Sequence, residues 1–557
     1  MFKEVKTIAF VFGAIVSFIA ITTHGFLEYK GLFLLLSLFS LTDFIRLERF
    51  SLKLSPQDYC FTLFLLYIVL RNIVSPQPSA GVLYWAKWLL CAYSYYLSRT
   101  LSNSQRRIVF PLILFTGLVE IIVCFLQLLK VIPSNNQYFP LTGTFDNPAH
   151  AALFLSLIPI IVTYYIKDKR LCLFVRFVLV LFGILSVLLM VVCKSRAAII
   201  ITILGLGLSL ISGLRIKRKI VMVSCLFVCL IGASYYLRPN SSNARILIWE
   251  ASIQSAIKSP IIGLGNNSFQ SNYMDDQARY FVDNNDSELT LVANNNYQAF
   301  NELLHIFYEH GLLGLVLVVA GVLLSLFSQS RIEFILSTML LVSAQFLYVL
   351  DIPAIYLLLS FFLGSTSNNE IMIRRCCLIK CYIFVLTISI WSFIGYNYMK
   401  FKQADNYIEE VLNTKKIQQI SADKEAVLLR ERSFALRYSE LLNSDTSVHS
   451  LRKAMYIAEN IIVTTDMLED IGDRLYKDSC YSEAVCYYQW ASKMIPSVVS
   501  PKWKLFLLYK AINDFDNASI IAREIINSKY KKVGSAVLRA KVEARKFILE
   551  YNRSNDN

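Results

Sequence analysis

Two arginines in short polar motifs have the chemistry needed to hold a charged ester. Arg196 ends Lys194-Ser195-Arg196, between two apolar runs, and Arg245 opens Ala244-Arg245-Ile246-Leu247-Ile248-Trp249. Arginine binds phosphate groups through paired, permanently charged hydrogen bonds. The two residues are therefore predicted to bind a diphosphate and to stabilise its charge as it departs. An arginine that reaches from a span end to the membrane interface is the alternative for either one.

A third motif, Ala299–Gly314, carries ionisable residues on one helical face. Glu302, His305 and Glu309 are separated by three and four residues, which puts them on the same side of a helix. Ionisable groups beside a membrane span are costly without a function. His305 and Glu302 are predicted to be catalytic, because either can take a proton from an attacking hydroxyl. Surface caps are the alternative.

Supporting roles are predicted for four further residues. Asn147 lies in Gly143-Thr144-Phe145-Asp146-Asn147-Pro148, where Gly, Asn and Pro indicate a turn before a helix. Trp249 lies on the apolar face of a predicted amphipathic helix at the membrane surface. The supporting set is Asn147, Trp249, Asn301 and Glu309. A plain turn and an interfacial anchor would also account for the first two.

The composition indicates which elements position these motifs. The 557-residue chain is 55% hydrophobic and only 17% charged, whereas soluble domains carry about 25% charged residues. A membrane-spanning helix needs about 20 mostly apolar residues. The fold class is predicted as all-α: a polytopic transmembrane bundle of about 12–13 spans, then a soluble tetratricopeptide-like domain. The predicted spans are 7–23, 31–45, 59–74, 82–97, 108–128, 150–166, 171–193, 197–213, 219–237, 303–328, 332–350, 351–365 and 377–397.

The distribution of positive charge predicts the orientation. The net charge of +15 is placed largely in short loops between apolar runs, which orients a membrane protein and argues against nucleic-acid binding. With thirteen spans, the basic loops all fall on the cytoplasmic side. Loop 238–302, the Arg196 turn and the tail then face the periplasm of a bacterial inner membrane.

The polar tail indicates a second domain, so we predict domains at 1–398 and 399–557. Residues 465–498 follow the 34-residue tetratricopeptide pattern, with Gly472, Ala484, Tyr488 and Pro496 at the expected offsets. Such repeats usually bind a protein partner. The alternative is a small helical bundle that only caps the membrane domain.

Together, the motifs resemble the O-antigen ligase and polymerase superfamily over about residues 100–365. The shared order is G-x-F-x-N-P, then S-R, then R-x-x-x-W…P-x-x-G-x-G, then N-E-x-L…E-x-G-x-x-G. The resemblance implies transfer of a glycan from undecaprenyl diphosphate to an acceptor hydroxyl, with Arg196 and Arg245 on the diphosphate. It also implies a metal-independent enzyme without a cofactor, working among membrane lipids.

Ligases of this superfamily commonly have His where this chain has Phe300. That departure leaves the general base open between Glu302 and His305. We favour a ligase, for which the acceptor is lipid A core. The alternatives are a polymerase, whose acceptor is a growing glycan, and an O-oligosaccharyltransferase, whose acceptor is a protein. The acidic residues at 275–288 are too irregular to predict a metal site. A transporter or flippase is the non-enzymatic alternative.

Overall fold

The chain is built almost entirely of helices. The computed structural model describes residues 52–210, 239–284, 288–365, 371–373, 377–414, 417 and 420–555. Before the tail, the helices are Pro56–Val74, Val82–Thr100, Asn103–Arg106, Val109–Leu128, Pro148–Leu155, Ile158–Ile166, Leu173–Val192, Arg196–Leu210, Pro239–Ala256, Ser268–Asp283, Glu302–Ser328, Arg331–Ser343, Pro353–Gly364 and Cys377–Thr414. A short antiparallel strand pair joins Leu52–Leu54 to Ile371–Ile373. The predicted all-α class is confirmed.

Within the described residues, five helical segments are long and apolar enough to cross a membrane. They are Pro56–Val74, Asn103–Leu128, Pro148–Ile166, Leu173–Val192 and Glu302–Ser328. Arg196–Leu210 and Pro353–Gly364 are shorter apolar helices. The predicted spans 7–23, 31–45 and 219–237 lie outside the described residues. The chain is a multi-pass membrane protein by this criterion.

Several predicted spans have different internal structure from a plain helix. The 150–166 run divides into two helices around Ser156 and Leu157, and Pro159 lies in the first turn of the second. Proline has no N–H to donate to the preceding turn, so it favours a break at this point. The run 332–350 is helical only over Arg331–Ser343. The predicted domain boundary at 398/399 falls inside the continuous helix Cys377–Thr414.

The tail is a succession of short helices that each pack against the next. They are Ala422–Arg430, Arg432–Ser444, Val448–Asn460, Thr465–Lys477, Tyr481–Met494, Ser500–Ala511, Phe515–Asn527 and Ser535–Asn555. Gly472 lets two of them approach closely, because a β-carbon there would lie 2.6 Å from the Tyr488 ring. Cys480 and Cys486 are exposed, and neither forms a disulfide with another described cysteine. The assignment as tetratricopeptide repeats stays a prediction.

The tail lies against the segment 239–301 that precedes the Glu302–Ser328 helix. The Gln277 amide donates to the Met494 carbonyl at 2.8 Å, and the Trp490 indole donates to Asp275 at 2.6 Å. The Thr465 backbone N–H donates to Asn295 at 3.2 Å. Through these contacts the tail forms one side of the site region; the division into domains at 1–398 and 399–557 stays a prediction.

Candidate functional site

The Gly143–Asn147 turn is held in place from the Val109–Leu128 helix. The carboxylate of Glu120 accepts hydrogen bonds from the backbone N–H of Thr144 at 3.1 Å and from its hydroxyl at 2.7 Å. The Gln127 side chain accepts from the Gly143 N–H at 2.8 Å and donates to its carbonyl at 2.9 Å. Gly143 has φ +62° and no room for a side chain beside Glu120. The Glu120 and Gln127 side chains therefore fix the conformation of the turn, which places Asn147 at the N-cap of the Pro148–Leu155 helix.

Arg196 and Arg245 lie close enough to repel each other. Arg196 begins the helix Arg196–Leu210, and Arg245 lies within Pro239–Ala256. Burial lowers the pKa of Arg245, and the positive charge of Arg196 lowers it further. Between two neighbouring guanidinium groups, an anion with several oxygens would offset both the burial of Arg245 and its repulsion by Arg196.

Aromatic rings connect Arg245 to the first motif. The Arg245 guanidinium lies over the Phe300 ring, 5.8 Å from its centre. The Phe300 ring meets the Tyr348 ring edge-on at 5.4 Å, and the His150 ring meets Tyr348 at 5.0 Å. The Tyr348 hydroxyl is hydrogen-bonded to the Asn147 side chain. Residues far apart in sequence thus line one small region, which we call the arginine–aromatic cluster: Asn147, His150, Arg196, Arg245, Phe300 and Tyr348.

Phe300 occupies an unusual backbone conformation at this point. Its φ is +51°, in the left-handed region that bulky residues rarely adopt. Such strain persists only where the surroundings hold the residue in place. Asn301 then caps the helix, its side chain accepting from the Leu304 N–H at 3.0 Å. The Trp249 indole donates to the Ala299 carbonyl at 3.0 Å and fixes the segment from the other side.

His305 lies between two carboxylates on the same helix. Its Nε2 is 3.2 Å from Glu309 and its Nδ1 is 3.6 Å from Glu302. Both carboxylates are nearly inaccessible to solvent, whereas the His305 side chain is 16% exposed. Glu302 also accepts from the Leu350 N–H at 2.9 Å. With an acceptor beside each ring nitrogen, the imidazole is best suited to carry two protons and a positive charge.

Two motif glycines hold the neighbouring segments in close contact. A β-carbon on Gly263 would lie 2.3 Å from the Glu309 carbonyl oxygen, and one on Gly311 would lie 2.3 Å from that of Ile261. Both glycines have positive φ. Backbone bonds cross between the segments, from Leu264 N to Tyr308 O at 2.9 Å and from Leu312 N to Pro260 O at 2.8 Å. The glycines of the P-x-x-G-x-G and E-x-G-x-x-G patterns therefore meet here and bend the Glu302–Ser328 helix at Gly311.

The chain was also compared with known protein families. Residues 181–319 match the O-antigen ligase family model. The matched segment contains both arginines, Phe300, the carboxylate-flanked histidine and the glycine contact. None of the curated proteins compared with the chain matches it. The superfamily predicted from the motifs is confirmed for this segment, which supports a membrane glycosyltransferase-type function.

Four residues around the O-antigen ligase segment were missed by sequence reasoning. Tyr348 and His150 belong to the arginine–aromatic cluster, and the buried Nε2 of His150 has no hydrogen-bond partner in the described ranges. Lys87 and Asp351 form an ion pair at 3.1 Å and line the same cleft as His305. His150 directly follows the Asn147-Pro148-Ala149 turn, which was the one available signal. The other three lie in segments that read as ordinary spans.

The acidic residues of the loop are used in packing. Burial raises the pKa of Asp275 and of Asp276. Asp276 accepts from the Tyr308 hydroxyl at 2.5 Å, and Asp283 accepts from Gln254 at 3.1 Å. Asp286 lies outside the described residues. No group of three or more His, Cys, Asp or Glu in the described part of the chain is arranged to hold a metal; metal independence itself stays a prediction.

Proposed function

We propose that the chain transfers a glycan from undecaprenyl diphosphate to an acceptor hydroxyl at the periplasmic face of the inner membrane. The observation that carries the proposal is the closeness of Arg196 and Arg245, two cations whose charges act on each other within the O-antigen ligase segment. A diphosphate supplies the negative charge and the several oxygens that such a pair can bind in bidentate fashion.

The proposed reaction is a displacement at the anomeric carbon of the donor sugar. The acceptor oxygen forms a bond to that carbon as the bond from the carbon to the diphosphate oxygen breaks. The electron pair of the broken bond stays on the diphosphate, where Arg196 and Arg245 stabilise the added charge. The acceptor's proton passes to a base within hydrogen-bond reach.

Two candidates can take that proton. The pair Glu302 and His305 is the candidate from the helix face, and its two members lie 3.6 Å apart. His150 is the second candidate. Its buried Nε2 has no hydrogen-bond partner among the residues that the structure describes, and its ring is linked to Phe300 and Arg245 through Tyr348. We favour His150, because both nitrogens of His305 are already beside carboxylates while one of His150 is available.

The acceptor distinguishes three activities of the superfamily. We propose the ligase reaction, with lipid A core as acceptor; a growing glycan would make the chain a polymerase, and a protein would make it an O-oligosaccharyltransferase. The test is transfer by the purified full-length protein, supplied with undecaprenyl-diphosphate glycan. Lipid A core and a Ser/Thr-rich peptide are offered in separate reactions, and elongation of the donor is followed as well.

Each outcome assigns one activity. Labelled lipid A core supports the ligase, longer lipid-linked chains the polymerase, and a labelled peptide the protein transferase. Repeating the reaction with a chelator tests metal independence, since transfer should continue unchanged. A folded protein that binds undecaprenyl-diphosphate glycan and transfers it to none of the three would contradict the proposed function.

A further inference from the structure

A polar cleft lies where the tail meets the membrane part of the chain. Its volume is about 320 Å³, within the range of about 300–1,000 Å³ for ligand sites. We call it the junction cleft. Residues from both parts line it: Tyr84, Lys87, Tyr297, Gln298, Asp351 and Arg432. His305 also contributes to its lining, and the 16% exposure of that side chain is consistent with access from the cleft.

The lining offers the groups that recognise a hydroxyl-rich ligand. The Gln298 amide donates to Asp351 at 2.5 Å, but its carbonyl oxygen Oε1 is buried and has no hydrogen-bond partner within the described part of the chain. The guanidinium of Arg432 lies over the Tyr297 ring, 5.5 Å from its centre. Flat aromatic faces, amides and paired charges side by side suit the alternating apolar faces and hydroxyls of a sugar.

The cleft and the arginine–aromatic cluster share two chain segments. Gln298 and Asp351 line the cleft, whereas Phe300 and Tyr348, two and three residues away, belong to the cluster. A saccharide in the cleft would therefore lie next to a diphosphate held by Arg245. This is the relation expected of an acceptor and a donor in a displacement reaction.

We infer that the junction cleft binds the saccharide of the acceptor, and that the tail supplies Arg432 as one of its walls. The inference rests on the proposed function and narrows its acceptor to a glycan. A peptide acceptor would be held by an exposed strand edge or by a row of apolar pockets. The lining is instead mixed and polar, with two further charged tail residues, Arg430 and Glu431, at the same cleft.

A buried carboxylate of the tail, Glu431, is hydrogen-bonded to the membrane part of the chain beside the junction cleft. Glu431 accepts from the backbone N–H of Val82 at 2.5 Å and of Leu83 at 3.4 Å, at the start of the Val82–Thr100 helix. Gly81 leaves space for it, since a β-carbon there would lie 2.4 Å from the carboxylate. Arg432, the next residue, is thereby held at the cleft.

Equilibrium binding to the purified full-length protein tests the inference. One probe is the oligosaccharide released by mild acid from the lipopolysaccharide of the producing strain, and the other is a Ser/Thr-rich peptide. We expect the saccharide to bind, and Arg432→Ala and Tyr297→Ala each to raise its Kd about tenfold, as loss of a charged or stacking contact does. Arg452→Ala, an exposed tail arginine away from the cleft, is the matched control and should leave the Kd unchanged.

A donor measurement separates this inference from the proposed function. Undecaprenyl diphosphate should bind Arg432→Ala as tightly as the wild type but bind Arg196→Ala weakly. If Arg196→Ala leaves the binding of undecaprenyl diphosphate unchanged, the proposed function fails. The saccharide measurement then still shows whether the junction cleft binds a saccharide. Saccharide binding that is absent in the folded wild type, or equal in wild type and both cleft variants, would overturn the inference. So would binding of the peptide alone.

Discussion

The guanidinium carbon of Arg245 lies 5.8 Å from the centre of the Phe300 ring. Phe300 stands where ligases of the superfamily commonly have His, so at this position the chain has an aromatic face in place of a base. A cation over a ring face gains about 0.5–2 kcal/mol, more when water is excluded. The aromatic residue therefore orients the arginine that is proposed to hold the donor.

Replacing Phe300 should lower the rate of glycan transfer, because the ring positions Arg245. Phe300→Leu removes the ring face, and we expect a loss of transfer of about 2- to 30-fold, the range that corresponds to one cation–π contact. Phe300→Tyr keeps the ring and should retain most of the activity. The measurement is kcat/KM for the lipid-linked donor. Equal rates for the Leu and Tyr variants would show that the ring does not position Arg245.

The geometry of the guanidinium groups should matter more than their charge. Arg196→Lys and Arg245→Lys keep a positive charge but lose the planar fork. Each should lower transfer by about 10- to 100-fold, the effect of losing a charged hydrogen bond in the transition state. Arg170→Lys, at an exposed arginine outside the site, is the control. If both Arg196→Lys and Arg245→Lys transfer at the wild-type rate, these two arginines do not bind the diphosphate as proposed.

The two candidate bases predict different pH profiles. His150→Gln should lower kcat by about 100-fold or more, as removal of a general base does. The loss of rate at acidic pH, which reports protonation of the base, should disappear in that variant. His305→Gln should lower the rate less and keep the acidic limb. If His305→Gln instead shows the larger loss of rate and lacks the acidic limb, the general base is His305 or Glu302. Glu302→Gln would then distinguish these two residues.

The glycine contact should be needed for folding of the site. Gly311→Ala places a β-carbon 2.3 Å from the Ile261 carbonyl oxygen. It also opposes the backbone conformation of Gly311, φ +63° and ψ −165°, a region that essentially only glycine adopts and that costs other residues about 1–3 kcal/mol. We expect a thermal unfolding midpoint several degrees lower and a matching loss of transfer. Gly395→Ala is the control, because none of the described residues has an atom within 4 Å of where its β-carbon would lie. An unchanged midpoint for Gly311→Ala would contradict the close approach.

Stability should fall as the pH rises through neutrality because of Glu431. Burial raises the pKa of Glu431 from 4.5 to about 7, although its bonds from Val82 and Leu83 act in the opposite direction. Since the folded protein holds the proton more tightly than the unfolded chain, this contribution is complete below about pH 4.5 and is lost as the pH rises through about 7.

The corresponding experiment compares thermal unfolding midpoints at pH 5 and pH 8. The wild type should lose more stability between the two values than Glu431→Gln, in which position 431 cannot ionise. The size of the difference follows from about 1.4 kcal/mol per unit of pKa. Glu440→Gln, at an exposed tail carboxylate, should behave as the wild type. Equal pH dependence in wild type and Glu431→Gln would exclude this role for Glu431.

Much of the architecture could be predicted from the sequence. Runs of about 20 apolar residues can satisfy their backbone only as helices in a membrane, so the all-α class follows from composition. The polar motifs that interrupt those runs carried the arginines, the His305 face and the two glycines, because charged residues and glycines beside a span stand out locally. The superfamily followed from the order of these motifs along the chain.

Only the tertiary structure decided which residues meet. His150, Phe300 and Tyr348 are separated by up to 198 residues in sequence, and their ring contacts depend on how the Gly143–Asn147 turn, the 299–301 segment and the 348–351 turn pack together. The two carboxylates beside His305 come from its own helix, at the spacing present in the sequence, and the structure adds their distances from its two ring nitrogens. Residue type and local spacing set what each side chain can do. Long-range packing set which aromatic rings meet, where the tail lies and that Arg196 and Arg245 are neighbours, because those depend on contacts that no local pattern encodes.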